Sequence, residues 1–389
     1  MMIIIIIISS SVSSLQMANF QCPIHLVYQE GAAEYSQLIL YLGQDYPPPS
    51  MWAWSLGRRL LTGREDDTWY NMLLVQLLPP GVSLLALVWL VLDVAFLSAL
   101  LLYLLRGCDC GRSLLCSVFH DLIRYGKTKV GRQRPAWLQW FDIPKRCFWH
   151  FYCVSLIWNG FLLWILHRLL FQSVPVPEWI QVVLRFLRAG SEPQILDREL
   201  SAVLALALLW LHSLRRLLEC LFVSVFSNGT IHFVQYCFGL GYYILIGITV
   251  LSYCSLDTQT VSLDDLLPQG HWYHILGLTL YIWASLHQYR CHCILANLRK
   301  SASGTIMHLN YAIPTGDWFE KVSCPHYLAE LLIYLSIAVV FGPLNTIWWL
   351  VVLYVLFSQA LAAVLCHEFY HEKFDSYPIH RNAFIPFIF

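Results

Sequence analysis

The sequence predicts an all-α integral membrane protein, a single bundle of about seven transmembrane helices. Of 389 residues, 58% are apolar and only 12% charged, against roughly a quarter charged in a soluble domain. Apolar stretches of membrane-spanning length also recur from residue 82 onward. A span needs roughly 20 apolar residues, because the hydrocarbon core is about 30 Å thick and a helix rises 1.5 Å per residue. Seven stretches meet or approach that length: 82 to 105, 147 to 171, 200 to 224, 231 to 253, 272 to 296, 327 to 342 and 345 to 367. Only Gly342-Pro343-Leu344-Asn345 separates the last two, which reads as a tight helical hairpin or one long broken helix.

Orientation follows from charge. The segment from Arg106 to Arg146 carries nine Lys/Arg against three Asp, the mark of a cytoplasmic loop. Alternation then places the N-terminus and the loop around Asp257, Asp264 and Asp265 on the lumenal side. The C-terminal tail, with Lys373 and Arg381, falls in the cytoplasm. Residues 1 to 80 differ from the rest: isoleucines from Ile3 to Ile8, a serine cluster, Pro47-Pro48-Pro49 and Arg64-Glu65-Asp66-Asp67. No basic region precedes the isoleucines as a signal peptide requires, so 1–80 reads as a poorly ordered extension to a membrane domain over 81–389. The Asn228-Gly229-Thr230 sequon falls in a cytoplasmic turn and is expected to stay unglycosylated.

Lys+Arg and Asp+Glu each number 24, so no basic field points to nucleic acid. The 13 cysteines lie mostly in apolar runs and lack the paired spacings of a zinc site; no metal is expected. A monomer is the working expectation.

Ionisable residues within spans are costly and tend to mark function. In the third span His212, Arg216 and Glu219 share a face, with Arg215 one turn from Glu219. Gln288 and His292 lie one turn apart near the end of the fifth, and Glu330 one turn into the sixth. His367, Glu368, Tyr370 and His371 close the seventh. By the predicted topology every cluster sits toward the cytoplasmic end of its helix. A polar pocket there, capped by Arg299-Lys300, suits a soluble anionic cofactor, since guanidinium forks match phosphate oxygens. A lipid transporter or scramblase also lines its bundle with polar groups, but no inverted repeat is visible.

The segment Tyr311-Ala312-Ile313-Pro314-Thr315-Gly316-Asp317-Trp318-Phe319, with Tyr327-Leu328-Ala329-Glu330, resembles the NADPH-site signature of the steroid 5α-reductases. The tail from Phe369-Tyr370 through Tyr377-Pro378 and Arg381 to Ile385-Pro386-Phe387-Ile388-Phe389 resembles their C-terminal motif. Within the family, Phe119 to Lys129, Leu211 to Arg216 and Ile294 to Lys300 are similar to the branch acting on polyprenyl lipids. The similarity covers about 82 to 389.

This resemblance implies an endoplasmic-reticulum membrane enzyme that uses NADPH to saturate the α-isoprene double bond of a long polyprenyl substrate, supplying dolichol for protein N-glycosylation. It places the cofactor-binding part at about 272–389. Gln288, His292, Arg299, Tyr311, His326, Glu330, Tyr370 and Arg381 are the implied cofactor residues, Arg299 holding phosphate and Glu330 the nicotinamide end. A steroid or other enone or enoyl reductase is the alternative within the family. Where steroid enzymes carry a carbonyl-polarising tyrosine this chain has Ser213. His150 and Tyr152 stand near the position of their Gln-Glu pair, His326 replaces an asparagine and His292 an aspartate. For the proton donor His367 is favoured, with Tyr152 and His150 as rivals, while Glu330 is counted with them as a catalytic candidate.

Overall fold

The computed structural model describes residues 82–106, 113–188, 199–254, 262–342 and 344–388. The expected N-terminal extension lies outside them. The described part falls within one compact unit, Leu73–Phe389.

It is almost wholly helical. The main helices are α1 (Leu84–Arg106), α2 (Leu114–Ile123), α3 (Trp149–Gln172), α4 (Glu178–Arg188) and α5 (Glu199–Leu218). They continue with α6 (Phe233–Leu251), α7 (Trp272–Asn297), α8 (Pro325–Phe341) and α9 (Thr346–Lys373). Among the described residues five helices are long and apolar enough to cross a membrane: α1, α3, α5 with its extension to Val223, α6 and α9. The other two expected spans are present as α7, which is long but polar in its last third, and α8, which is apolar but 17 residues long. Outward-facing Val94, Leu105, Ile157, Ile275 and Ile282 are exposed, an arrangement that suits a lipid surround.

Local chemistry explains the helix ends. Pro325 opens α8, where its missing N–H costs nothing. Gly342, at φ +83°, ends it in a conformation that favours glycine. The Asn345 side chain then accepts from Trp348 N at 3.0 Å and starts α9. The 342–345 break is a true hairpin, since Trp348 Nε1 reaches back to Tyr334 O at 3.1 Å. The amphipathic helix α4 was not expected. It buries Ile180 and Leu184, and its Arg188 donates to Ser252 O and Cys254 O, capping the carbonyl end of α6.

Within a bilayer close packing, not water exclusion, holds helices together. A Cβ at Gly277 would lie 2.6 Å from Val340 Cγ2 and 2.9 Å from Ser336 O, so the bare glycine lets α7 and α8 meet backbone to side chain. One core runs through α1 and α3–α9 around Trp89, Leu166, Leu206, Tyr334 and Trp348. A second joins α1, α9 and the tail around Tyr103, Leu361, Cys366 and Phe384.

The segment between α2 and α3 is pinned by ions. Lys129 Nζ bridges Asp121 Oδ2 at 2.8 Å and Asp142 Oδ1 at 2.9 Å, and Arg134 reaches the same two carboxylates. Strand β1 (Asp142–Pro144) pairs antiparallel with β2 (Thr230–His232), also not foreseen. Burial alone would raise the Asp142 carboxyl, but hydrogen bonds from Arg134 and Lys129 outweigh it and bring it to about 2, below its ordinary 3.8. A lowered carboxyl stabilises the fold in full above its unfolded value and loses that stabilisation as pH falls toward its folded one. Thermal melts in detergent should therefore show this contribution shrinking between about pH 4 and pH 2 in the native chain. In Asp142→Asn the same stretch of pH should be flatter; equal slopes would remove Asp142 from the account.

Candidate active site

The ionisable groups of α5, α7 and α8 meet inside the bundle. After Leu218 the helix widens into a π turn over Glu219–Val223, closed by Ser224 N on Glu219 O at 2.8 Å. This turn keeps Glu219 inward, with its side chain 2% exposed. Arg215 and Arg216 both bridge Glu219, and His292 Nδ1 lies 2.6 Å from the same carboxylate. Arg215 also donates to Gln288 Oε1, and Gln288 Nε2 donates to Glu330 Oε2. His212 Nε2 stands 3.4 Å from Glu330 Oε1. Arg216 Nη2 donates to Tyr152 Oη at 3.1 Å, linking α3.

This network forms one wall of a cavity of about 330 Å³. Tyr152, Arg216, Gln288, His292, His326 and Glu330 line it on that side. Its apolar-to-phenolic side holds Phe151, Tyr242, Tyr243, Tyr334 and Tyr354, and Lys145, Ser224, Ser227, Arg299 and Tyr311 complete the lining. Arg299 is held by Val225 O and by Asn310 O at 3.3 Å, with its guanidinium 5.0 Å from the Tyr311 ring centre. Tyr311 in turn bonds Ser227 at 2.6 Å.

Of the eleven residues put forward from sequence as cofactor or catalytic candidates, with Ser213 as a twelfth position of interest, seven line the cavity: Tyr152, Gln288, His292, Arg299, Tyr311, His326 and Glu330. The others lie elsewhere. His150 bonds Tyr236 Oη at 2.8 Å. His367 Nδ1 shares a 2.6 Å hydrogen bond with Ser323 Oγ, which also meets Tyr377 Oη at 2.6 Å. Tyr370 stacks on Tyr377, ring centres 5.3 Å apart, beneath Lys127 Nζ at 3.9 Å. Arg381 donates to Pro314 O at 2.8 Å and binds the tail to the 314–320 segment. Ser213 bonds Ser155 at 2.6 Å and clasps α3 to α5. Four cavity tyrosines, Tyr242, Tyr243, Tyr334 and Tyr354, and Lys145 were not picked out from sequence. Tyrosines are common on membrane helices, and Lys145 counted only as one charge of a basic loop.

Comparison with known proteins accords with these features. Residues 230–389 match the model of the family described as 3-oxo-5-alpha-steroid 4-dehydrogenase. A protein named polyprenal reductase from Xenopus laevis is 84% identical over 319 residues, covering 82% of this chain and all of the relative. The chain belongs to the steroid 5α-reductase family. Another family member, the polyprenal reductase of Xenopus tropicalis, is 82% identical over 308 residues, or 79% of this chain and all of its own. The human polyprenal reductase is 56% identical over 305 residues, covering 78% of this chain and 95% of its own.

A nicotinamide dinucleotide, the cofactor expected of a reductase in this family, can be tested against the residues present. They fit it. The cavity lining includes cations and hydroxyls that suit phosphates, and an amide and a carboxylate that suit a carboxamide. His326 Nδ1 and Arg216 Nε are buried in the wall without a hydrogen-bond partner among the described residues, and buried polar nitrogens in native sites are ordinarily satisfied.

Proposed function

We propose that this chain reduces the α-isoprene double bond of polyprenal with NADPH, in the endoplasmic-reticulum membrane, on the route to dolichol used in protein N-glycosylation. The active site then faces the cytoplasm, a reading supported by the excess of Lys and Arg in the 106–146 segment. The observation that carries the reading is the Arg216–Tyr152 hydrogen bond in the cavity wall, together with 84% identity to a polyprenal reductase. When bound, the dinucleotide supplies the hydride.

The chain's own residues supply position and charge. Glu330 and Gln288 would hold the carboxamide, and Arg299 a phosphate. Tyr152 accepts from Arg216, so its own hydrogen is free to donate into the cavity, and the guanidinium stabilises negative charge on the phenol oxygen. That is the requirement of a group that polarises an aldehyde oxygen. With hydride delivered to the β-carbon of the conjugated aldehyde, the alkene electron pair would shift onto that oxygen as an enolate held by the Tyr152 hydrogen bond; a proton from solvent taken up at the α-carbon would re-form the carbonyl and complete saturation. An isolated allylic alcohol offers no such electron sink. The phenolic wall and Ser213, turned into the α3–α5 contact, replace the tyrosine expected of a steroid site.

Purified protein with NADPH should therefore convert polyprenal to dolichal faster than polyprenol to dolichol, and faster than it reduces a 4-ene-3-oxo steroid. Polyprenol turnover equal to or above that of polyprenal would overturn the aldehyde assignment. His367 provides a second test. Its hydrogen bond to Ser323, which also bonds Tyr377, ties α9 to the Ser323 segment and the tail, so His367→Ala is expected to weaken NADPH binding along with turnover. Loss of kcat with an unchanged KM for NADPH would instead make His367 the proton donor.

A further inference from the structure

Charge in the cavity wall is out of balance. Its lining includes Lys145, Arg216 and Arg299 against one carboxylate, Glu330. Arg216 is matched by Glu219 and Glu330 is engaged by Gln288 and His212. Lys145 and Arg299 have no carboxylate partner among the described residues. Arg299 is satisfied by backbone carbonyls, whereas the Lys145 ammonium faces the rings of Tyr125 and Phe148, 5.4 Å and 5.6 Å from their centres.

The local fold is built to bring this lysine inward. Lys145 N donates to Gly229 O at 2.9 Å, next to the β1–β2 ladder. Its side chain crosses Gly126, which sits at φ +56°; a Cβ there would lie 2.9 Å from both Lys145 Cδ and Nζ. A Cβ at Gly229 would lie 2.7 Å from Gly126 Cα. Two bare glycines thus clear the path. The 224–229 loop holds both residues, the Arg299 guanidinium through Val225 O and the Lys145 backbone N–H through Gly229 O. A long cation held in a cavity without a counterion is costly unless an anion arrives to meet it.

We propose that Lys145, with Arg299, forms the phosphate-binding subsite for the dinucleotide. The inference rests on the dinucleotide reading above and adds a specific residue to it. The ammonium acts as a point charge beside the guanidinium fork. The test is NADPH binding by fluorescence titration of purified protein in detergent, independent of turnover. Lys145→Met should raise the dissociation constant at least about tenfold, the scale of one hydrogen bond between charged groups. It should also flatten its dependence on salt, while Lys145→Arg stays close to the native chain. Melting temperatures without NADPH confirm that the variants fold, and Lys145→Gln serves if the methionine variant does not. Native-like binding in folded Lys145→Met or Lys145→Gln overturns the proposal. So does loss of thermal protection by a polyprenyl phosphate with NADPH affinity intact, which would assign the lysine to a lipid headgroup. Failure of the native chain itself to bind NADPH would bring down the dinucleotide reading as well.

Discussion

Tyr152→Phe is expected to lower turnover of polyprenal by about a hundredfold or more, the range for loss of one hydrogen-bond donor to a developing oxyanion, with NADPH affinity changed only a few-fold. The ring remains to pack against Tyr243, 5.7 Å between centres, and the cation over its face, Arg216 at 4.9 Å, keeps its contact. Only the hydroxyl is lost. A single-turnover measurement with enzyme in excess separates chemistry from release of the lipid product. Near-native single-turnover rates would exclude the phenol from the reaction and return attention to His367.

Glu219→Ala should be the most destabilising single change in the site. The carboxylate is buried and holds Arg215, Arg216 and His292 together. Removing it leaves two guanidinium groups in a low-dielectric wall, and breaking a buried pair from one side costs about 3–5 kcal/mol. Glu219→Gln keeps shape and some hydrogen bonding, so it should fall between native and alanine. Thermal unfolding in detergent checks the order. A melting temperature for Glu219→Ala within about a degree of native, far below the shift such a loss implies, would show that the arginines find other partners. NADPH binding should weaken in parallel, because Arg215 also holds Gln288.

Much of this arrangement was legible in the chain. Helical stretches were expected within a few residues of where α1, α3 and α5–α9 lie, since span length is set by bilayer thickness. The polar network was legible too: charges in spans are rare, so His212, Arg216, Glu219, Gln288, His292 and Glu330 stood out, and the fold joins them. Rotation about a helix axis was harder to read. His150 and Tyr152 are two residues apart, which is about 200° around the helix, so only one can face the cavity, and it is Tyr152. His367 lies near the end of α9, but neighbours from the tail decide what it meets. Nothing in Glu219–Val223 announces a π turn, whose closure depends on Ser224 reaching past the normal ring. Lys145 needed the paths cleared by Gly126 and Gly229, residues far apart in the chain and adjacent only after β1 and β2 pair.

The pairing of Arg215 and Arg216 with a carboxylate on their own helix also bears on biogenesis. A ribosome adds about 5–20 residues per second, so α5 reaches the translocon well before Gln288, His292 and Glu330 exist. During that interval its charges cannot rely on the partners they later share. The i,i+4 and i,i+3 bridges to Glu219 let the segment leave for lipid as a partly self-neutralised packet, with one surplus positive charge held in reserve for helices still to be made.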